Sequence, residues 1–170
     1  MASSRRSFVQ VDVTRRRFLA GAAVVLGAAA CARTATASPA GDFEVTHTDA
    51  EWKQLLTAEQ YDVLRRAGTE MPYSSPLNDE HGQGVFSCAG CGLALFSSDT
   101  KFESGTGWPS FWQPLDGAVI ERTDGSIGMS RTEVLCRRCG GHLGHVFDDG
   151  PQPTGLRYCM NGDAMTFRST

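Results

Sequence analysis

The sequence predicts a mainly β domain of the α+β class, with short helices confined to the amino-terminal side of the domain. Helix start and stop signals are found between residues 46 and 68. From residue 70 onward the chain consists of short apolar runs, such as GVFSC, ALFSS, AVIER and TEVLC, each bounded by Gly, Pro, Asp or Ser. The chain has 170 residues, which corresponds to one domain with a single core.

The first 37 residues have the composition of an export signal. Adjacent arginines in TRRRFL precede the apolar run FLAGAAVVLGAAA, whose thirteen residues are fewer than the roughly 20 needed to span a membrane. The arginine pair before Phe-Leu resembles a twin-arginine signal, and Ala35 to Ala37 supply a small-x-small cleavage site. We therefore expect cleavage after Ala37, a periplasmic protein, a polar linker over 38–46 and a folded domain over 47–170.

Cys31 leaves open a second targeting hypothesis. It follows GAAA, as in some lipoproteins, but the leucine expected three residues before it is absent. Attachment to a membrane is expected only if Cys31 carries a lipid.

The charge of the remaining chain argues against nucleic acid as a partner. Residues 38–170 contain ten basic and eighteen acidic residues, a formal charge of −8 with histidine neutral. Proteins that bind the phosphate backbone need lysine and arginine to displace its counterions. An acidic body lacks that excess of positive charge.

The amino-terminal part of this body contains two predicted short helices. THTDAEWKQLL forms the first, and TAEQYDVLRRAG the second. Thr57 and Gln60 have the spacing of a capping box, and Gly68 stands where the second helix is expected to end.

Two C-x-x-C pairs, each followed by glycine, predict a structural metal site. Cys88 and Cys91 form the first pair, and Cys136 and Cys139 form the second, with 44 residues between the two pairs. Each pair can present two thiolates from one tight turn to a tetrahedral ion, and four thiolates leave no open coordination position. Structural Zn²⁺ is the favoured interpretation.

Two other interpretations of these cysteines stay open at this point. An exported protein can hold its cysteines in disulfides. Alternatively, one C-x-x-C pair could be the redox motif of a general thiol-disulfide oxidoreductase. A twin-arginine substrate crosses the membrane after folding, which would allow zinc to bind while the thiols are still reduced.

Cys159 differs because it has no cysteine neighbour. It lies in GLRYCMNGDAMTF, residues 155–167, which has the pattern of a half-buried strand. Alternation along a strand places Arg157, Cys159 and Asn161 on one face and Tyr158 and Met160 on the other. A cationic neighbour and a hydrogen-bond donor favour the nucleophilic thiolate, whereas apolar burial has the opposite effect.

Histidines and tryptophans in two other loops suit chemistry at such a thiol. His142 and His145 lie in GGHLGHVFDDGP, beside the second C-x-x-C pair, and imidazoles deliver protons near neutral pH. Trp108 and Trp112 lie in the glycine-rich segment KFESGTGWPSFWQP, and an indole face suits a methyl or sulfur group.

The segments GTEMPYSSPL, GVFSCAGCGLALFSSDTKFESGTGWPSFWQPL and GSIGMSRTEVLCRRCGGHLGHVFDDGPQPTGLRYCMNGDAMTF resemble the B-type methionine-R-sulfoxide reductases. The resemblance covers residues 46–167, with its motifs in order. It implies two antiparallel β-sheets and an enzyme that reduces methionine R-sulfoxide, free or in oxidised proteins and peptides.

The resemblance also implies a role for individual residues. Cys159 is the expected nucleophile and His145 the proton donor, with His142 and Asn161 as further catalytic residues. Trp108 is the expected pocket tryptophan. Arg157, which strand alternation and not the resemblance places beside Cys159, is also expected to contact the substrate. The zinc ligands of the metal-binding members match Cys88, Cys91, Cys136 and Cys139.

The chain departs from many relatives at Thr106, where they carry a second, resolving cysteine. We therefore expect the sulfenic acid of Cys159 to be reduced by an external thioredoxin-like thiol. Met160 and Gly162 replace the isoleucine and serine common in relatives, and we expect only a packing change there. The rival hypothesis of a non-catalytic zinc-knuckle binding module gives no role to a reactive Cys159.

Overall fold

We describe the fold from a computed structural model, which describes residues 43–125 and 130–170. The predicted export signal, its cleavage site and Cys31 lie outside the described residues, as does most of the predicted linker. Within the described part of the chain, no helix is both long and apolar enough to cross a membrane.

The two predicted helices are present and each begins with a capping box. Helix α1 spans Asp49–Leu55 and helix α2 spans Ala58–Arg66. The Thr57 hydroxyl accepts the backbone N–H of Gln60, and the Gln60 side chain accepts the backbone N–H of Thr57, which confirms the predicted box.

The end of α2 differs in one detail from the prediction. The residue in the left-handed conformation is Ala67, with φ 54°, and not Gly68. Gly68 follows it and donates its backbone N–H to the carbonyl of Asp62. A Cβ on Gly68 would lie 2.2 Å from Oδ2 of Asp62, but that oxygen ends an exposed side chain that can rotate away, so space alone does not require glycine there.

Within residues 43–125 and 130–170, nine short strands follow the helices, and they make the domain mainly β. Four of them contain the apolar runs that predicted strands. The strands are β1 Gly84–Cys88, β2 Ala94–Ser97, β3 Lys101–Phe102, β4 Ser110–Phe111, β5 Val119–Asp124, β6 Arg131–Cys136, β7 His142–Phe147, β8 Arg157–Met160 and β9 Met165–Ser169.

The strands form two antiparallel sheets, as the family resemblance implies. The smaller sheet has the order β2-β1-β9 and the larger has the order β3-β4-β8-β7-β6-β5. Strands β8 and β9 are consecutive in the chain and belong to different sheets, so the segment after Cys159 joins the two sheets.

The core consists of aromatic and aliphatic side chains contributed by both sheets and by the two helices. Phe96 of β2 stacks on Phe111 of β4 with ring centroids 4.4 Å apart, and Phe86 of β1 contacts the edge of Phe111 at 4.9 Å. Leu64 of α2 is 2% exposed and packs into the same cluster. Burial of these rings positions β4 and β8 next to each other.

Two local predictions were wrong. The stretch over 155–167 is not one strand, because a 3₁₀ turn at Gly162–Ala164 separates β8 from β9. The segment that contains His142 and His145 is not a loop, because it forms β7 in the middle of the larger sheet. Glycine-rich composition concealed this strand, since glycine is depleted in strands in general.

Candidate active site and cysteine cluster

The four paired cysteines meet at the ends of two strands from different sheets. Cys88 ends β1 of the smaller sheet and Cys136 ends β6 of the larger sheet. Cys91 and Cys139 follow in the turn after each strand. All four Sγ atoms lie within 4.8 Å of one another, and three of the four residues are buried.

Both pairs form the same type of turn. The backbone N–H of Gly92 donates to the carbonyl of Cys88 at 2.8 Å, and Gly140 donates to Cys136 at the same distance. Both glycines have positive φ, 72° and 66°, a conformation that costs glycine little. The glycine after each C-x-x-C pair is therefore needed to close the turn.

The geometry of the four sulfurs fits a tetrahedral metal ion better than disulfides. Sγ of Cys88 lies 3.7 Å from that of Cys139, and Sγ of Cys91 lies 3.5 Å from that of Cys136. A zinc ion with four Zn–S bonds of about 2.3 Å requires sulfurs separated by about 3.8 Å. A disulfide needs about 2.05 Å, and all four thiols are free.

Cys159 lies elsewhere, in the larger sheet. In β8 it pairs with His145 of β7 on one side and with Ser110 of β4 on the other. Tyr158 and Met160, on the opposite face of the strand, belong to the core. The alternation predicted for this strand is therefore confirmed between residues 157 and 160.

A cavity of about 160 Å³ opens beside the Cys159 thiol. This cavity, which we call the catalytic pocket, is lined by Thr69, Trp108, Arg131, Gly144, His145, Phe147, Cys159 and Asn161. A Cβ on Gly144 would lie 2.1 Å from the backbone oxygen of Cys159, so only glycine allows β7 to approach β8 this closely.

The surroundings of the thiol act on its ionisation in opposite directions. Burial raises the pKa of Cys159, and this effect exceeds the lowering by the Thr106 hydroxyl, the Arg157 guanidinium and the Ser110 hydroxyl. Thr106 Oγ1 lies 3.8 Å from Sγ. The sequence predicted an easily ionised thiol, whereas the structure favours the neutral thiol before substrate binds.

His145 is held by a carboxylate. Its Nε2 lies 2.9 Å from Oδ2 of Asp124, and the same oxygen accepts a hydrogen bond from Nη2 of Arg131 at 2.7 Å. Because an ionised carboxylate only accepts hydrogen bonds, Nε2 carries a proton and Nδ1 is the remaining nitrogen. Burial lowers the pKa of His145 more than Asp124 raises it, so the neutral imidazole is favoured.

His142 has a matching but more deeply buried partner. Its Nδ1 lies 2.6 Å from Oε1 of Glu133, and the other carboxylate oxygen of Glu133 accepts from Nε of Arg122 at 2.5 Å. His142 does not line the catalytic pocket. Its ring contacts His145 edge-on with centroids 5.4 Å apart, so it touches the pocket only through His145.

Glu70 joins three parts of the pocket, and no sequence pattern indicated it. Its backbone oxygen accepts Nε1 of Trp108, and its backbone N–H donates to the side-chain oxygen of Asn161. Its carboxylate accepts the backbone N–H groups of Gly162 and Asp163, both at 2.7 Å. These bonds span up to 93 residues of chain, so only the folded chain shows them.

Arg157 lies near Cys159 but outside the pocket lining. Its Nε and Nη2 each donate to Asp149 at 2.8 Å, and its guanidinium stacks on Phe147 with 4.4 Å to the ring centroid. The structure therefore brings Cys159, His145, Trp108 and Asn161 together in one pocket. It places Arg157 and His142 behind the pocket wall.

The SelR domain matches residues 56–169, which include both cysteine pairs and the catalytic pocket. The chain belongs to the SelR domain family. The match covers both sheets and all but the first helix and the residues before it, so the fold and the site described above are those of the family domain.

Three similar relatives carry a common name. The chain is 56% identical over 128 residues to the peptide methionine sulfoxide reductase MsrB of Leptospira interrogans serogroup Icterohaemorrhagiae serovar Lai (strain 56601), which covers 75% of the chain and 98% of the relative. It is 54% identical over 125 residues to the protein of the same name from Agrobacterium fabrum (strain C58 / ATCC 33970), a match that covers 73% of the chain and 93% of the relative. It is 54% identical over 126 residues to the protein of the same name from Methanosarcina barkeri (strain Fusaro / DSM 804), a match that covers 74% of the chain and 89% of the relative.

Proposed function

We propose that this SelR-domain protein reduces methionine sulfoxide, in its R configuration, to methionine through a sulfenic acid on Cys159. Family membership supports methionine sulfoxide reduction as the reaction class. The observation that carries the assignment to these residues is the pairing of Cys159 with His145 across β7 and β8 at the wall of one small pocket. The substrate is methionine R-sulfoxide as the free amino acid or as a residue of oxidised proteins and peptides.

The reaction balances without any further reactant. The Cys159 sulfur attacks the sulfoxide sulfur and forms a transient S–S bond to it. The oxygen then moves to the Cys159 sulfur as the S–O bond of the substrate and the transient S–S bond both break. The sulfoxide gains two electrons and becomes methionine, while the thiol becomes a sulfenic acid. Protonation of the sulfoxide oxygen is the demanding part of this step, because an unprotonated oxygen leaves poorly.

The proton for that oxygen comes from the thiol itself. Burial favours a neutral Cys159 and a neutral His145, so the resting pair contains one transferable proton. His145 takes that proton on Nδ1 as the thiol attacks and delivers it to the sulfoxide oxygen. Asp124, which holds Nε2, stabilises the imidazolium that forms in between.

The remaining pocket side chains suit the organic part of a methionine sulfoxide. The indole of Trp108 is fixed by its bond to the Glu70 carbonyl and offers an apolar face to the S-methyl group. Asn161 has both ends of its amide engaged, with the carbonyl of Leu143 and the N–H of Glu70. Asn161 therefore acts as a rigid wall of the pocket.

The sulfenic acid is reduced by an external thioredoxin-like thiol. Thr106 lies in contact with Cys159 and has no sulfur, and the other described thiols belong to the four-cysteine cluster. Two external thiol groups would convert the sulfenic acid to the thiol and release water and a disulfide.

We further propose that the metal of the cysteine cluster is Zn²⁺ and that its role is structural. Cys88, Cys91, Cys136 and Cys139 would supply all four ligands, which leaves no position for a substrate. The ion would supply folding free energy by joining β1 to β6. An exported, periplasmic location through the twin-arginine-like signal completes the proposal.

The test is an assay with separate R and S epimers of a methionine sulfoxide peptide and dithiothreitol as reductant. The purified protein should consume the R epimer, leave the S epimer, and lose turnover in Cys159→Ser. Failure to reduce either epimer with one zinc bound per chain would overturn the proposal. Normal turnover by Cys159→Ser would mean that another group carries out the reaction, whereas failure with both epimers would favour the non-catalytic zinc-knuckle module.

A further inference from the structure

The larger sheet contains two matching arginine–carboxylate–histidine groups. In each group the carboxylate accepts hydrogen bonds from the histidine ring and from the guanidinium. The groups are Arg122–Glu133–His142 and Arg131–Asp124–His145. Since both groups combine an arginine, a carboxylate and a histidine, their different positions can be compared directly.

Only the second group reaches the catalytic pocket. Arg131 and His145 line it together with Cys159, whereas Arg122 and His142 do not. A single carboxylate oxygen, Oδ2 of Asp124, accepts from both Arg131 and His145. The arginine is therefore held in a constant position relative to the proton donor.

Most hydrogen-bond donors of Arg131 have no partner among the residues that the structure describes. A guanidinium has five N–H groups, and Asp124 accepts one of them, from Nη2. Nε is buried without a partner, and across 43–125 and 130–170 no hydrogen bond uses Nη1. The side chain keeps 26% of its surface exposed, so a ligand in the pocket can reach it.

We propose that Arg131 binds a main-chain oxygen of the methionine sulfoxide residue while the sulfoxide faces Cys159 and His145. This inference rests on the proposed function and adds the group that recognises the substrate. The oxygen belongs to the carboxylate of the free amino acid or to the carbonyl of a peptide. A charged carboxylate binds a guanidinium more strongly than a neutral carbonyl does.

Two acylated substrates separate these two sources of the oxygen. N-acetyl-methionine R-sulfoxide has a carboxylate, and its N-methylamide has only a carbonyl. In Arg131→Gln, KM for the carboxylate substrate should rise about 10- to 100-fold and KM for the amide about threefold, which follows from the strengths of charged and neutral hydrogen bonds. The turnover number kcat should change less than KM.

Arg122→Gln is the matched control for KM. Arg122, like Arg131, donates to a carboxylate that also binds a histidine, but it lies outside the pocket. Its KM should stay within about twofold for both substrates. Arg131→Lys keeps a cation beside Asp124 without the planar guanidinium, and its KM for the carboxylate substrate should be intermediate. Thermal melts of the three variants show that each is folded.

The outcomes distinguish this inference from the proposed function. If the unaltered protein reduces neither substrate, the proposed function fails. If it reduces both and Arg131→Gln lowers kcat equally for both with KM unchanged, Arg131 only positions Asp124 and the inference is wrong. A KM increase of equal size in Arg122→Gln would also overturn it, because the effect would then be one of general charge.

Discussion

The cysteine cluster and Cys159 place the same side chain in two different settings. The four clustered Sγ atoms lie within 4.8 Å of one another where the ends of β1 and β6 meet. Each pair of cysteines lies in a turn that a glycine closes. Cys159 lies in the middle of a sheet and faces a pocket with an imidazole across the strand pair. We propose that the clustered sulfurs stabilise the fold through a metal ion and that the single sulfur carries out the chemistry.

The largest expected effect is on the free energy of unfolding, which should depend on the cysteine cluster and not on Cys159. Cys136→Ser, or removal of the metal with a strong chelator, should abolish the cooperative melt, because a structural zinc site contributes on the order of 10–16 kcal/mol. Calorimetry with zinc analysis measures this. Cys159→Ser is the matched control and should melt within about 1 kcal/mol of the unaltered protein. A chelated sample that keeps its cooperative melt would show that the cluster is not structural.

The next effect tests whether His145 acts on the substrate or on the thiol. His145→Gln should slow methionine sulfoxide reduction by about 10²- to 10⁴-fold, because the sulfoxide oxygen loses its proton donor. Stopped-flow or single-turnover assays give that rate, and iodoacetamide alkylation of Cys159 should slow much less, because alkylation needs no proton on a leaving oxygen. Equal losses in both measurements would mean that the histidine acts only by accepting the proton of the thiol.

The pH dependence of alkylation tests the ionisation of Cys159. Burial raises its pKa, so the thiol stays protonated to a higher pH than a free cysteine, whose pKa is about 8.5. The alkylation rate of the unaltered protein should be low at pH 7 and rise about tenfold per pH unit to beyond pH 8.5. Glutathione measured in parallel is the reference. A plateau reached below pH 7 would contradict the neutral resting thiol.

The smallest effect concerns the contact between Thr106 and Cys159. Thr106→Val removes the hydroxyl that lowers the pKa of the thiol, so the pKa should rise and alkylation at pH 8 should slow by about two- to tenfold, the value of one neutral hydrogen bond. Thr166→Val, at an exposed position on β9, is the control and should leave the rate unchanged. An unaltered rate in Thr106→Val would show that the hydroxyl does not affect ionisation.

Much of the fold could be predicted because its signals are local. The Thr57–Gln60 capping box and the turn-bounded runs of β1, β2, β5 and β6 depend on residues a few positions apart. Strand β7 was missed because its glycines have a long-range purpose. Gly144 allows close contact with the backbone of Cys159, which no neighbouring residue in the sequence indicates.

The candidate site was predictable in its reactive groups and not in the residues that hold them. Cys159, His145, Trp108 and Asn161 were identified from residue type and family resemblance, and the structure places all four around one pocket. Asp124, Glu70 and Arg131 were not identified. Most hydrogen-bond partners of Glu70 are 91 to 93 residues away in the chain. Asp124 and Arg131 meet because β5 pairs with β6.

The sequence alone determined the helix caps, the spacing of the metal-binding turns, the acidic charge of the body and the presence of one unpaired cysteine in it. These properties depend on residue type and short spacing. Tertiary structure alone decided the direction in which the pKa of Cys159 shifts, because burial outweighs Arg157, and it decided which histidine reaches the pocket. Desolvation and hydrogen-bond partners arise from chain segments that meet only after folding, so no local pattern records them.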